Sequence, residues 1–327
     1  MFTSASDPAR LPFAWWNTKV APPSRASKAN ASHISAVIDV VRMLVQQQGC
    51  LIMALAEVRR QNVLGWIPSG VRADWNVLAD TSGHHHDFDV AVIFDHTWLH
   101  LMDHHWVTAH HAGQMVRAGL VATFAFADGS GWIIVAAAHW RSDMWNASDA
   151  KARRTVAAMA LRGAIAVALQ DVGPDVPVLI LGDFNAEPFD EQFSASLPTA
   201  RSRAEVQRHR PRRPSDLLFY NAAWRWLGER YPWDSGQQTP TLAGTYRLEG
   251  SRVPTTWRTF DQVLVSPSLL GDAAWSLDER VLGICDDTCV YDGVGTRPRA
   301  PFDHLPIVGH LQRSAFTATA TATGGAR

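Results

Sequence analysis

The chain has 327 residues, 46% of them hydrophobic and 19% charged, with a formal net charge of −1. This composition supplies ample apolar material for a core and excludes a disordered polyelectrolyte. It also excludes the strongly basic balance of a protein that coats nucleic acid, although length alone would allow two domains.

Residues 1–10 read as a flexible lead-in. Leu11 to Trp16 is an apolar run of strand length, and His33 to Gln48 has helical spacing, with Ile34, Val37, Ile38, Val41 and Val45 on one face. Gly49 stands where a helix stops. Leu51 to Ala56 and Phe88 to Phe94 read as buried strands. Val116 to Ala127 and Trp132 to Ala138 form a hairpin around Asp128-Gly129-Ser130-Gly131.

Ser148 to Gln170 is the clearest helix, and Val156, Met159, Ala160, Gly163, Ala164 and Val167 are expected to face a sheet. Val176 to Leu181, Phe260 to Val265 and Leu305 to Leu311 are further strands. Residues 196–215 read as an exposed Arg- and Pro-rich loop, and 314–327 as a low-complexity disordered tail. Strands outnumber helices and some are hairpin-linked, which points to mixed sheets covered by helices.

Cys50, Cys285 and Cys289 are an odd, sparse set, so no disulfide framework is expected, and they read as reduced thiols of a cytoplasmic protein. No charged start followed by an apolar run opens the chain, so no signal peptide is expected. The longest apolar run, Trp132 to Ala138, falls short of the ~20 residues of a membrane span. Neither a membrane nor an obligate protein partner is expected.

One pattern recurs through the chain. An apolar strand ends on a residue able to hold a metal or a phosphate: Asn17, Glu57, His139, then Asp183 and Asn185. Ligands bind at strand ends in α/β sheets because loops converge there while the strands hold them. Phosphate-ester hydrolysis needs a hard cation, a base that places water, and donors to the phosphoryl oxygens. Glu57 and Asp303 are candidate ligands for the cation, and Asp183, beside the amide of Asn185, is a candidate base. His139 and His304 are candidate phosphate contacts, with Asp261 as the partner of His304.

These motifs stand in a familiar order: Trp16-Asn17, Ala56-Glu57, Ala138-His139-Trp140-Arg141-Ser142, Gly182-Asp183-Phe184-Asn185, Phe260-Asp261-Gln262, and Phe302-Asp303-His304. In this order the chain resembles the endonuclease/exonuclease/phosphatase superfamily, which includes deoxyribonuclease I. The resemblance implies one domain over residues 11–313. Its fold would be an α/β (α+β) four-layer sandwich, with two mixed sheets packed face to face and helices outside.

It implies Glu57, Asp303 and Asn17 at a Mg²⁺ site that Mn²⁺ can also fill. It implies His139, Asp183, Asn185, Asp261 and His304 as the catalytic set, with Asn17, His139, Asn185 and His304 on the phosphate. Either Asp183 or His304 is the base, and either Asp87 or Asp89 orients His139. The sequence departs from the family pattern at Ala137, Ala56 and Phe302.

The expected function is phosphodiester hydrolysis on nucleic acid, DNA in particular, supported by the arginines between 201 and 213. One rival is a phosphatase or phosphodiesterase of small esters, phosphoinositides or phospholipid head groups. Another is a non-catalytic binding module. Other features read blandly: the histidines at 84–86, 104–105 and 110–111 as solvated loops, and Trp224, Trp226, Trp233 and Trp257 as core or rim packing.

Overall fold

The structure is a computed structural model, and it describes residues 9–22, 29–80, 88–142, 147–229, 242–248, 256–271, 273–291 and 298–314. The histidines at 84–86, Asp87, Trp233 and all but the first residue of the expected tail lie outside the described residues.

The strands are β1 (Arg10–Asn17), β2 (Ile52–Ala56), β3 (Trp75–Ala79), β4 (Ala91–Asp95) and β5 (Leu99–His111). Next come β6 (Gln114–Phe126), β7 (Trp132–His139), β8 (Val178–Asp183), β9 (Thr199–Ala200) and β10 (Phe219–Asn221). The last are β11 (Tyr246–Arg247), β12 (Trp257–Arg258), β13 (Asp261–Val265), β14 (Trp275–Ile284) and β15 (Ile307–Arg313). The α-helices are α1 (Ala31–Gln46), α2 (Ala147–Val172) and α3 (Arg203–Arg208).

One sheet has the order β14-β15-β1-β2-β4-β3 and the other β5-β6-β7-β8-β13-β10-β9. Both are mixed: β1 runs parallel to β2 and β7 to β8, while β15 and β13 pair antiparallel with β1 and β8.

The period-two alternation of the strands builds the layers. Phe13 and Trp15 point into the core between the sheets, and Ala14 and Trp16 point into the cluster beneath α1. In β7, Ile133, Val135 and Ala137 face the inter-sheet core, while Ile134, Ala136 and Ala138 face the cluster beneath α2. Strands covered on both faces read as unbroken apolar runs, which is why β2, β7 and β8 carry almost no polar residue before their ends. Helix, sheet, sheet and helix therefore stack as the expected four-layer sandwich.

Three expectations differ from the structure. In α2 the buried face is formed by Ala157, Ala158, Leu161, Ile165 and Leu169, whereas Met159 and Val167 are half exposed. The helix is Ala-rich all round, so small residues mark its face weakly; the large side chains at 161, 165 and 169 decide it. Although α2 has the length and apolar composition of a membrane span, its apolar face here covers the second sheet.

Residues 196–215 are not one loop. They hold β9 and α3, whose Val206 is fully buried and whose Arg203 ion-pairs with Glu279 at 2.7 Å. The histidine pairs at 104–105 and 110–111 lie on β5, a long strand at the sheet edge.

Gly182 shows how closely the strands approach beside the site. A Cβ there would sit 2.8 Å from the carbonyl oxygen of Ala138 and 2.9 Å from the Phe184 ring. The carbonyl belongs to the neighbouring strand and cannot swing away. Gly182→Ala is expected to destabilise the protein by about 1–3 kcal/mol, measured by urea unfolding. An unchanged midpoint would mean that the strands relax freely.

Candidate active site

The parallel pairing of β1 with β2 sets Asn17 opposite Ala56, so Glu57 leaves β2 beside it. In the other sheet, His139 pairs with Asp183 and Asp183 with Asp261, three chemical side chains abreast on adjacent strands. In-register neighbours share a sheet face at about 5 Å between Cβ atoms. The segment 303–305 is held against β11: Arg247 N–H donates to the Asp303 carbonyl and Leu305 N–H to that of Thr245. Residues from both sheets therefore meet in one cleft of about 440 Å³, lined among others by Lys19, Glu57, Asp89, His139, Asp183, Asn185, Asp303 and His304.

Asp183 is the centre of this cleft. Its Oδ2 accepts from Asn17 Nδ2 at 3.0 Å and lies 3.6 Å from His304 Nε2 and 3.7 Å from His139 Nε2. Its Oδ1 accepts from the Asn185 backbone N–H at 3.0 Å. The Asn185 amide donates to the Trp140 carbonyl at 2.9 Å, which fixes its orientation. Asn17 Nδ2 also reaches Glu57 Oε1 at 3.4 Å, so this amide links the two carboxylates.

Each imidazole has its own carboxylate behind it. His304 Nδ1 is 2.8 Å from Asp261 Oδ2, and Asp261 Oδ1 accepts from the Trp15 indole at 2.7 Å. His139 Nδ1 is 2.8 Å from Asp89 Oδ2, so of the two aspartates considered for this role the described one, Asp89, occupies it. Tyr246 packs against the His304 ring, the two planes tilted by 36° and the centroids 4.4 Å apart.

Among the described residues five non-glycine residues have positive φ, and three of them, Lys19, Glu57 and Asn185, line this cleft. Backbone held in a sparsely populated region is concentrated where side chains must be aimed.

Electrostatics follow from burial and pairing. Burial lowers an imidazole's pKa, but the fields of Asp261 and Asp183 outweigh it and hold His304 up at about 10. Asp89 does the same for His139, at about 9. Burial raises Glu57 to about 7 and raises Asp183 as well. All four groups thus bind protons more tightly in the fold than in the unfolded chain, where imidazoles titrate near 6.5 and Glu near 4.5.

Stability from the imidazoles is complete below pH 6.5 and is lost as pH rises through 9–10; the Glu57 contribution is already lost through about 7. Metal-free protein is therefore expected to melt at steadily lower temperature from pH 6 to 10, read by calorimetry in chelator. A melting temperature that rises over that interval would contradict these shifts.

The donors fit a hard divalent cation. Asp183, Asp261 and His304 bring ligand atoms within 4.8 Å of one another. Both Asp261 oxygens, however, already accept from N–H donors, so that group is a hydrogen-bonded relay rather than a cage. Among the described residues lining the cleft, the buried carboxylate oxygens without a donor are Glu57 Oε2 and Asp303 Oδ1. Oxygen ligands of this kind suit Mg²⁺ or Mn²⁺.

Asn17, Glu57, His139, Asp183, Asn185, Asp261, Asp303 and His304 are thus brought together as the sequence led us to expect. The departures from the family pattern are buried packing positions: Ala56 and Ala137 lie in the core between the sheets, and Phe302 packs on Trp16. The sequence reading passed over Trp15, Tyr246 and Lys19, whose Nζ lies 2.7 Å from Asp303 Oδ2. A lysine two residues past Asn17 was the only available hint of the last.

The sequence model described as the Endonuclease/Exonuclease/phosphatase family matches residues 21–211, more than half of the chain. No curated protein matches it by sequence. Solved structures share the fold at low identity. The human Nocturnin catalytic domain with bound sulfate anion is 14% identical, with a TM-score of 0.55, covering 94% of this chain and 95% of its own. TDP2 of D. rerio, complexed with single strand DNA product, is 12% identical, with a TM-score of 0.55 and coverages of 93% and 99%. The mannosyl-6-phosphatase Bt3783 of Bacteroides thetaiotaomicron is 14% identical, with a TM-score of 0.56 and coverages of 92% and 99%. The chain belongs to the endonuclease/exonuclease/phosphatase family, whose members are hydrolases of phosphoester bonds.

Proposed function

We propose that the protein is a Mg²⁺-dependent phosphodiesterase that hydrolyses nucleic acid, DNA in particular, and that Mn²⁺ can replace Mg²⁺. The observation that carries this is the convergence of His139 Nε2 and His304 Nε2 on one oxygen of Asp183, at 3.7 and 3.6 Å. Two imidazolium donors around a buried carboxylate can grip a phosphoryl group and leave the carboxylate beside the water that attacks it.

Glu57 and Asp303 would hold the divalent cation, which would supply charge neutralisation for the phosphoryl group. Asn17 keeps Glu57 and Asp183 side by side, and Asn185, tied to Trp140, faces the phosphate. Asp183 accepts the proton of the attacking water. His304, kept protonated by Asp261, and His139, kept protonated by Asp89, donate from Nε2 to the phosphoryl oxygens.

Support for a polyanionic substrate comes from Arg117, Arg141 and Arg153 along the cleft. It also comes from the DNA product bound by TDP2, which shares the fold. The arginines of 201–213 supply none of it. They do not line the cleft: Arg203 pairs with Glu279, and Arg201 lies 5.4 Å over the Trp224 ring.

Plasmid and single-stranded oligonucleotide are the test substrates, incubated with Mg²⁺ and with chelator. Cleavage that chelator abolishes is expected. Intact nucleic acid in every condition would sink the proposal. The size of the cleft favours a second reading, a small phosphate ester as substrate, since about 440 Å³ fits one nucleotide or sugar phosphate. Turnover of sugar phosphates together with intact DNA would favour it.

A further inference from the structure

We propose that Phe189, backed by Trp224, is a stacking platform for an unpaired nucleobase beside the cleft, so that the strand taken is single-stranded nucleic acid. The inference rests on the nucleic-acid reading above. Phe189 is 61% exposed, more than any other large hydrophobic residue among those described. Its ring meets that of Trp224 edge-on, with centroids 6.4 Å apart and planes at 60°. The Arg201 guanidinium lies over the Trp224 ring at 5.4 Å, so it covers a face of Trp224 and leaves Phe189 as the open surface.

An exposed ring on a slack loop would signify little, but this one is held. Glu187-Pro188-Phe189-Asp190 is a tight turn, closed by the Asp190 N–H donating to the Glu187 carbonyl at 2.9 Å, and the Asp190 carboxylate accepts from the Glu187 N–H at 2.9 Å. Proline in second position suits such a turn. The Thr259 N–H donates to Glu187 Oε2 at 3.1 Å. Gln262, next to Asp261 in β13, is fully buried and holds both ring-bearing segments. Its Nε2 donates to the Ala186 carbonyl at 2.6 Å, and its Oε1 accepts from Asn221 Nδ2 at 2.7 Å. Asn221 ends β10, and its Oδ1 accepts from the Ala223 N–H at 3.0 Å, starting the helical turn Ala222–Trp226 that carries Trp224.

The platform stands at the reacting end of the sheet. β13 runs antiparallel to β8 and β10 antiparallel to β13, so the end of β10 lies on the same side as Asp183. Phe189 follows Asn185 by four residues, a reach of at most about 14 Å. The cleft, about 440 Å³, fits one nucleotide, so the neighbouring nucleotides of a strand gripped there lie outside it. A rigid aromatic ring one short step away takes a base by its π-face without reading its sequence. Paired bases are stacked inside a duplex and cannot offer that face, which is why the strand must be single.

Fluorescence anisotropy of the full chain with a labelled oligothymidylate, in chelator so that nothing is cut, reads the proposal. An abasic strand with the same number of phosphates is the comparison. Phe189→Ala is expected to weaken oligothymidylate binding about tenfold and to leave abasic binding as in wild type, with Phe189→Trp retaining both. Phe189→Leu keeps the apolar bulk without the aromatic face. It is expected to lose binding as alanine does, and it decides the matter should Phe189→Ala fail to fold.

Equal loss for both strands, or no loss for either, overturns the proposal. So does a Phe189→Ala variant that loses binding to phosphatidylserine vesicles while holding oligothymidylate as before, since the ring would then be a membrane contact. If oligothymidylate binds through Phe189 but is not cut when Mg²⁺ is supplied, the hydrolytic reading fails while the platform stands. If it is cut and Phe189→Ala binds it as wild type does, the platform alone fails.

Discussion

Asp183→Asn is expected to slow phosphodiester hydrolysis by about 10³- to 10⁴-fold with little change in KM. The carboxylate sits between both imidazoles and accepts from Asn17 and from the Asn185 backbone; asparagine keeps one acceptor oxygen, so it can hold the Asn185 N–H while giving up the bond from Asn17. Burial raises its pKa, which makes it a stronger base near neutrality than an exposed aspartate. An amide of the same shape cannot take a proton from water. His304→Gln is the needed comparison, because His304 is the rival base. If Asp183→Asn retains more than a tenth of wild-type turnover while His304→Gln loses nearly all, the proton goes to the imidazole. Single-turnover kinetics with a chromogenic diester separate the two.

The second large effect is expected at Asp261. Both of its oxygens accept from buried N–H donors, the Trp15 indole at 2.7 Å and His304 Nδ1 at 2.8 Å. Asparagine has one acceptor oxygen, so Asp261→Asn turns an N–H₂ against one of these donors. A buried donor left without an acceptor costs about 1–3 kcal/mol, to be read in denaturant unfolding. Losing the carboxylate also removes the largest influence keeping His304 protonated. Turnover is therefore expected to fall by about 10³-fold near neutral pH and to recover in part as pH is lowered. A variant that keeps wild-type stability and its wild-type pH profile would show that the Asp261–His304 contact carries neither role.

How much of this was legible in the sequence depends on what each residue type signals alone. Strand-end polar residues after apolar runs located Asn17, Glu57, His139 and Asp183, because a covered strand leaves no other place for a charge. The Asp303-His304 pair needed the order of motifs, since its two anchors, Thr245 and Arg247, lie just before and on a two-residue strand with no periodicity to read. Trp15 looks like any core tryptophan, and only the fold shows that its indole holds Asp261.

The strand β5 was missed because its exposed histidines mimic a polar loop; an edge strand with one wet face loses the apolar signal. The α2 face was misread for the reverse reason, a surplus of alanine that dilutes the stripe. Lys19 was invisible because a lysine in a turn is ordinarily solvated, and its pairing with Asp303 links residues far apart in the chain.

The position of β15 sets the order in which the machinery can be completed. This strand lies between β14 and β1, joining a late segment to the first strand of the chain. Asp303 and His304 come just before it. During synthesis on the ribosome the earlier strands can pair as they emerge, but the last imidazole reaches its place only when β15 inserts beside β1. The cleft is therefore complete only once residues up to β15 have been made, because Asp303 and His304 cannot stand beside Glu57 and Asp183 before that strand pairs with β1.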